Sequence, residues 1–244
     1  MAKLLGLVYG LAAYLIFLFA FLYMIGFVGN LAVPKSIDSG ASDSLGSAIV
    51  IDLLLVALFA VQHSVMARSW FKRRWTRIVP KPLERSTFVL ITSLVLSLMF
   101  WQWRPVTQVI WDVGNPVAVG LLWTLFCSGW LLVLLSTYLI DHFDLFGLKQ
   151  AYVNSRGQEY SPPRFTTPWL YRYVRHPMML GLIVAFWATP AMTLGHLLFA
   201  AALTGYILFA IQPEERELTA AFGDTYTQYR DRVSMLFPSL PRER

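Results

Sequence analysis

The sequence predicts an all-α, polytopic integral membrane protein. It should carry five or six transmembrane helices, the last two a short helical hairpin, and a cytoplasmic C-terminal helical tail. Three observations carry this expectation. Of 244 residues, 57% are hydrophobic and 14% charged, with a mean hydropathy of +0.55, whereas soluble domains carry about 25% charged residues. The apolar residues gather in six runs, at 4–29, 47–67, 86–103, 116–140, 178–194 and 196–211. The positive charges concentrate in alternate connections between those runs.

Each run can be justified in order. The N-terminal stretch "MAKLLGLVYGLAAYLIFLFAFLYMIGF" begins like a signal peptide. It stays apolar past residue 25 without an A-x-A-like site, and so reads as a retained first span. The runs 47–67, 86–103 and 116–140 approach or exceed the ~20 residues that cross a hydrocarbon core. Cys127, the single cysteine, sits inside the fourth run. It has no intramolecular disulfide partner and is expected to pack. The runs 178–194 and 196–211 are shorter, and Pro190 and Gly195 between them read as a tight turn. In the tail, Leu218, Phe222, Tyr226 and Tyr229 recur at helical spacing, and Gly223-Asp224 should break that helix. No internal repeat is visible, and the chain reads as a single domain, 1–244.

Charge orients the chain. The 68–85 loop holds seven Lys/Arg, the 141–176 connection five, the C-terminal tail five and the N-terminus Lys3, whereas the 30–46 and 104–115 loops hold one each. Eighteen of twenty therefore fall on one side, expected to be the cytoplasm of a bacterial-type inner membrane, with both termini inside. The pI of about 9.5 then follows from topology and contact with anionic membrane lipids. No basic helix or aromatic platform for nucleic acid is present.

With that topology the reactive side chains gather at the cytoplasmic mouth. His63 ends the second run, Asp141, His142 and Asp144 follow the fourth, His176 opens the fifth, and Glu214 and Glu215 close the sixth. His196 alone among the histidines falls in the predicted external turn. Ionisable groups at span ends are functional candidates, though each has a plainer reading. Arg172 and Arg175 serve equally as interfacial anchors, Pro177 as a first-turn helix proline, His63 as a satisfied polar residue between helices, and the glutamates as structural charges. Neither HExxH nor CxxC is present, so no metal site is expected. The absence of GxSxG, GxGxxG and P-loop patterns leaves hydrolase, dinucleotide-binding and NTPase readings without support.

Arg175-His176-Pro177 at the start of an apolar run is followed, about 35 residues later, by Glu214, Glu215, Leu218, Phe222, Gly223, Tyr226 and Tyr229. This combination, over 160–238, resembles the C-terminal signature of the isoprenylcysteine carboxyl methyltransferase superfamily. The stretches "FVGNLAVPKSID", "QHSVMAR", "ERSTFVL", "FWQWRP" and "DHFDLFGLKQ" extend the resemblance to nearly the full chain and resemble the methanethiol S-methyltransferase branch. That branch is similar to a denitrification-associated membrane family, so a non-enzymatic accessory protein is the main alternative. A methyltransferase for another small or lipid acceptor is a further one.

The resemblance implies methyl transfer from S-adenosylmethionine (SAM) to methanethiol, giving dimethyl sulfide, with the site at the cytoplasmic helix ends. Carried over by position, the cofactor-lining residues are Pro163, Arg164, Phe165, Thr166, Tyr171, Arg175, His176, Pro177, Met178, Met179 and Glu214. Where the prenylcysteine enzymes hold a substrate-binding arginine, this chain has Ala210. A carboxylate acceptor would lose its cationic partner there, which favours a small apolar one. The thiolate is the competent nucleophile and a simple thiol is mostly protonated at neutral pH, so a base is useful. His142, tuned by Asp141, is the first candidate for base or thiolate orienter, and His63 the second.

Overall fold

The computed structural model describes residues 1–41 and 43–238. Ten α-helices and two short strands are formed among them: α1 (Ala2–Gly29), α2 (Leu45–Ala67), α3 (Ser69–Trp75), α4 (Glu84–Gln102), β1 (Val109–Asp112), α5 (Pro116–Ile140), α6 (His142–Leu145), α7 (Leu148–Ser155), α8 (Pro177–Trp187), β2 (Ala191–Thr193), α9 (Leu194–Phe222) and α10 (Asp224–Arg232). Single 3-10 turns precede α4, at Lys81–Leu83, and α8, at Trp169–Arg172. Five helical segments, including Lys81–Gln102, are long and apolar enough to cross a membrane. Their outward side chains agree with that reading. On α1 alone Leu4, Leu5, Val8, Leu11, Leu15, Phe19 and Leu22 are exposed, a surface that water would penalise and lipid covers.

The chain forms two compact units. The first comprises residues 1–108, 141–162 and 193–196. In it α1 packs on α4 and α7, and α2 on α4. Phe27, Met99, Phe100 and Trp103 are buried, with Phe27 and Phe100 ring centroids 4.9 Å apart. Gly147 connects α6 to α7 at φ +84°, and a Cβ there would lie 2.5 Å from the Ser86 nitrogen. Only glycine meets both demands. Ser86 Oγ donates to its carbonyl at 3.0 Å, and Arg85 Nε to Leu145 O at 2.7 Å. These bonds tie the 141–155 segment to the start of α4.

One end of this unit therefore gathers the N-terminus of α1, the 68–85 loop and α7. The opposite end is built on Lys35, whose Nζ donates to Trp101 O, and Arg104, whose backbone N–H donates to Asp52 Oδ1 at 2.8 Å. The unit thus separates its cationic loops from its two isolated basic residues.

The second unit comprises residues 109–140, 163–192 and 197–244. Here α5 and α8 cross backbone to backbone. A Cβ on Gly129 would meet Gly181 O at 2.7 Å, and one on Gly181 would meet Gly129 O at 2.6 Å. Small residues permit such close approach where hydrophobicity cannot drive helices together in lipid. Along α9 the buried residues Phe199, Leu203, Ile207 and Ile211 form one i, i+4 stripe, whose Phe199 meets Phe186 at 5.2 Å. Gly223, at φ +56°, separates α9 from α10 as its position predicts.

The all-α polytopic class is the one observed, with several differences in detail. The fifth apolar run is helical only to Trp187, and α8 at 11 residues spans about 16 Å. The sixth is no short arm. It runs 29 residues through Pro213 to Phe222, about 43 Å, because one missing N–H near its polar end does not outweigh the turns on either side. The residues expected as a turn instead enter the β1–β2 pairing, and His196 lies fully buried in the first turn of α9. Cys127 is exposed on α5 rather than packed.

Candidate functional site

The second unit assembles the region around Arg175-His176-Pro177 from local geometry. The 3-10 turn Trp169–Arg172 leads into an extended stretch at 174–176, where Val174 bridges to Ser234 in parallel. Arg175 N donates to Ser234 O at 2.9 Å and His176 N to Met235 O at 3.2 Å. The chain then turns into α8 with Pro177 at its first position, where a missing N–H costs nothing and φ is pre-set.

Side chains reinforce that junction. Arg175 Nε donates to Glu215 Oε1 at 2.7 Å, and His176 Nε2 lies 2.9 Å from the same oxygen. The Arg175 guanidinium also donates to the carbonyls of Arg230 and Val233. The Arg175 and Glu215 side chains are 11% and 13% exposed, so the ion pair is largely withdrawn from water. Arg175 and Glu215 therefore bind the start of α8, the C-terminal part of α9 and the C-terminal segment into one structure.

An aromatic wall stands beside this cluster. Phe165 packs on Phe222, Tyr226 and Tyr229 with centroids 5.2, 5.7 and 5.4 Å away. Tyr229 Oη donates to Tyr171 O at 2.6 Å, and Tyr171 Oη to Ser136 O at 3.3 Å. Burial pushes the phenols of Tyr171, Tyr226 and Tyr229 up, the last to about 12, which keeps all three neutral. The Glu214 charge adds to that rise at Tyr171 and Tyr226.

Tyr226 is 1% exposed, and its hydroxyl meets no hydrogen-bond partner among the described residues.

The expected cofactor residues thus take distinct positions. His176 and Pro177 are buried, Tyr171 is buried beneath Tyr229, and Met178, Met179 and Phe165 are half-buried. Pro163, Arg164 and Thr166 are exposed, and Glu214 is half-buried. The residue that pairs with Arg175 and His176 is Glu215. Periodicity carried a signal for this, because 215 continues the buried stripe 199, 203, 207, 211 by one more step of four. The carbonyls of Arg230 and Val233 carried none, since backbone acceptors have no sequence signature.

His142, Asp141 and His63 belong to the first unit. His142 is 5% exposed, with Nε2 2.8 Å from Tyr14 Oη and its ring edge-on to Phe146 at 4.9 Å. Burial lowers its pKa, against the raising effect of the Asp141 charge. Asp141 caps α6 by accepting from Asp144 N at 3.1 Å and forms an ion pair with Lys149. Burial works to raise its pKa, but the Lys149 hydrogen bond, the Asp144 N–H and the nearby charges hold it down. His63 lies against Phe59 and Phe88, at 5.4 and 5.0 Å. Phe88 and Phe146 share the core around Met66 and Val89, so both histidines border one aromatic cluster.

The second-unit residues fit a sulfonium donor with an amino-acid tail. Neutral aromatic rings attract a cation through their faces, a helix N-terminus accommodates a carboxylate, and the buried Tyr226 hydroxyl has no partner among the described residues.

The profile of the NnrU protein family matches residues 52–212. The methanethiol S-methyltransferase of Mycobacterium tuberculosis (strain ATCC 25618 / H37Rv) is 56% identical over 238 residues, 98% of each chain. Methanethiol S-methyltransferase 1 of Bradyrhizobium diazoefficiens is 57% identical over 236 residues, 97% of this chain and 83% of its own. A more distant relative is Nurim of Mus musculus, 32% identical over 184 residues, 72% of this chain and 70% of its own. No solved structure matches. The chain belongs to the NnrU protein family, with methanethiol S-methyltransferases as full-length relatives.

Proposed function

We propose that this protein is a membrane methyltransferase that converts methanethiol to dimethyl sulfide with SAM as donor. The observation that carries the reading is the end-to-end identity of 56–57% to proteins named methanethiol S-methyltransferase. Bound SAM supplies an electrophilic methyl group on a sulfonium. The chain's own residues do the rest. The first turn of α8 receives the donor's carboxylate, with Tyr171, His176, Pro177, Met178 and Met179 around it and the 163–166 stretch alongside. Glu214 accepts hydrogen bonds from the donor's amino or ribose groups. Arg175 and Glu215 keep His176 and the helix start in place. The rings of Phe165, Tyr226 and Tyr229 exclude water and face the positive charge.

His142 takes or orients the thiol proton, with His63 the second candidate. Burial keeps His142 neutral near pH 7, the state that accepts a proton. The gathering of Lys3, the 68–85 loop and α7 at one end of the first unit supports a cytoplasmic placement of that end in a bacterial-type inner membrane. A second reading of this NnrU-family chain is a non-enzymatic membrane accessory protein.

Purified protein incubated with SAM and methanethiol, with headspace detection of dimethyl sulfide, tests the proposal. Release of dimethyl sulfide that depends on both substrates is the expected result. SAM binding without thiol methylation reassigns the acceptor, and no SAM binding favours the accessory protein.

A further inference from the structure

We infer that the Tyr226 hydroxyl is a donor-binding group, whose hydrogen bond is completed on the amino-acid or ribose part of the bound methyl donor. The inference rests on the proposed SAM-dependent activity and adds a contact residue to it. Tyr226 is one of the largest fully buried side chains in the protein, yet its hydroxyl has no partner among the described residues. A buried hydroxyl without a partner opposes folding, and buried tyrosines normally find one.

Tyr229 shows what the same helix does with a structural tyrosine. Three residues on, its ring lies 5.9 Å from that of Tyr226, and its hydroxyl is committed to Tyr171 O at 2.6 Å. Phenylalanine at 226 would keep the ring contacts with Phe165 and Tyr229 and lose only the unsatisfied oxygen. Packing therefore accounts for the ring but not for the hydroxyl.

The surroundings indicate which part of a donor it meets. Burial above all, then the Glu215 charge, disfavours the phenolate against the opposing Arg175 charge, with Glu214 adding to the rise, so the group is a neutral O–H that both donates and accepts. Such a group suits the amino, carboxylate and ribose hydroxyl functions. Those functions are common to SAM and its demethylated product, S-adenosylhomocysteine, whereas the sulfonium charge belongs to SAM alone.

Titration calorimetry of SAM and S-adenosylhomocysteine against detergent-purified full-length protein tests this, with unliganded melting temperatures as second readout. Tyr226→Phe should bind both ligands about 10-fold more weakly, while its unliganded melting temperature stays equal or rises. Tyr229→Phe should lower the unliganded melting temperature. Unchanged affinities in Tyr226→Phe overturn the inference. So does a loss confined to SAM, which would tie the hydroxyl to the methyl-bearing end of the donor instead of its amino-acid or ribose part, and so does a lowered melting temperature or failure to fold, which would make the hydroxyl structural. If the wild-type protein binds neither ligand, the SAM reading itself falls and the inference with it. Wild-type binding with an unaltered variant removes only the role of Tyr226.

Discussion

Arg175 Nε and His176 Nε2 both reach one oxygen of Glu215, at 2.7 and 2.9 Å. Two adjacent residues before α8 therefore share a single acceptor 40 positions further on. A carboxylate that holds two partners in a largely dry site anchors structure, and this separates its role from that of the neighbouring Glu214.

Glu215→Ala should destabilise the protein by about 3–5 kcal/mol, because it leaves the buried Arg175 guanidinium without its counter-charge. Glu214→Gln should weaken SAM binding with little change in stability. Thermal unfolding in detergent and a SAM titration on each variant check the pair. Equal melting temperatures in the two variants would place both glutamates in the same role.

The α5–α8 crossing makes a packing prediction. Gly129→Ala and Gly181→Ala each put a Cβ against backbone at under 3 Å, and separating the helices should cost about 1–3 kcal/mol. Gly120→Ala, on open surface of α5 with nothing within 4 Å, should be neutral or slightly stabilising. A Gly129→Ala protein as stable as wild type would show that the two backbones do not approach this closely.

His142→Ala should cut turnover by about 10²–10⁴-fold with SAM affinity unchanged, and the defect should shrink as rising pH supplies thiolate from solution. The sign of the pH dependence follows from the lowered pKa of His142. Its neutral form is favoured in the fold, so the stability it contributes is present above the unfolded value near 6.5 and lost as pH falls through the lower folded value. Turnover should hold through pH 7 and decline only below that ordinary value. Tyr14→Phe, which removes the 2.8 Å contact to Nε2, should give an intermediate loss. An equal loss in His63→Ala with none at His142 moves the role to α2.

Membrane orientation can be read by cysteine labelling in a Cys127→Ala background. Cysteines at Arg77, in the basic loop, and at Ala41, at the other end of the first unit, are both on exposed sites. An impermeant thiol reagent added outside intact cells should label Ala41→Cys and spare Arg77→Cys. The reverse pattern would place the basic loops outside.

The helices and their order were legible in the sequence for a strong physical reason. A chain in hydrocarbon must satisfy its backbone internally, so a long apolar run is a helix wherever it packs. Pro177 at the start of α8 and Gly223 after α9 were legible too, because each acts through its own backbone. Tertiary structure decided what depends on helix length and rotation. Glu214 and Glu215 are chemically identical, and about 100° of rotation on α9 determines which one meets Arg175 and His176. The buried stripe ending at Ile211 held that answer only for a helix that continues through Pro213, which the apolar pattern did not reveal. His196 reads as a turn residue by composition but is buried, because α9 begins two residues before it. The acceptors at Arg230 and Val233, and a Tyr226 hydroxyl unpaired among the described residues, are likewise properties of packing: hydrogen bonding over such sequence distances depends on where the folded backbone brings each group, not on the residue's identity.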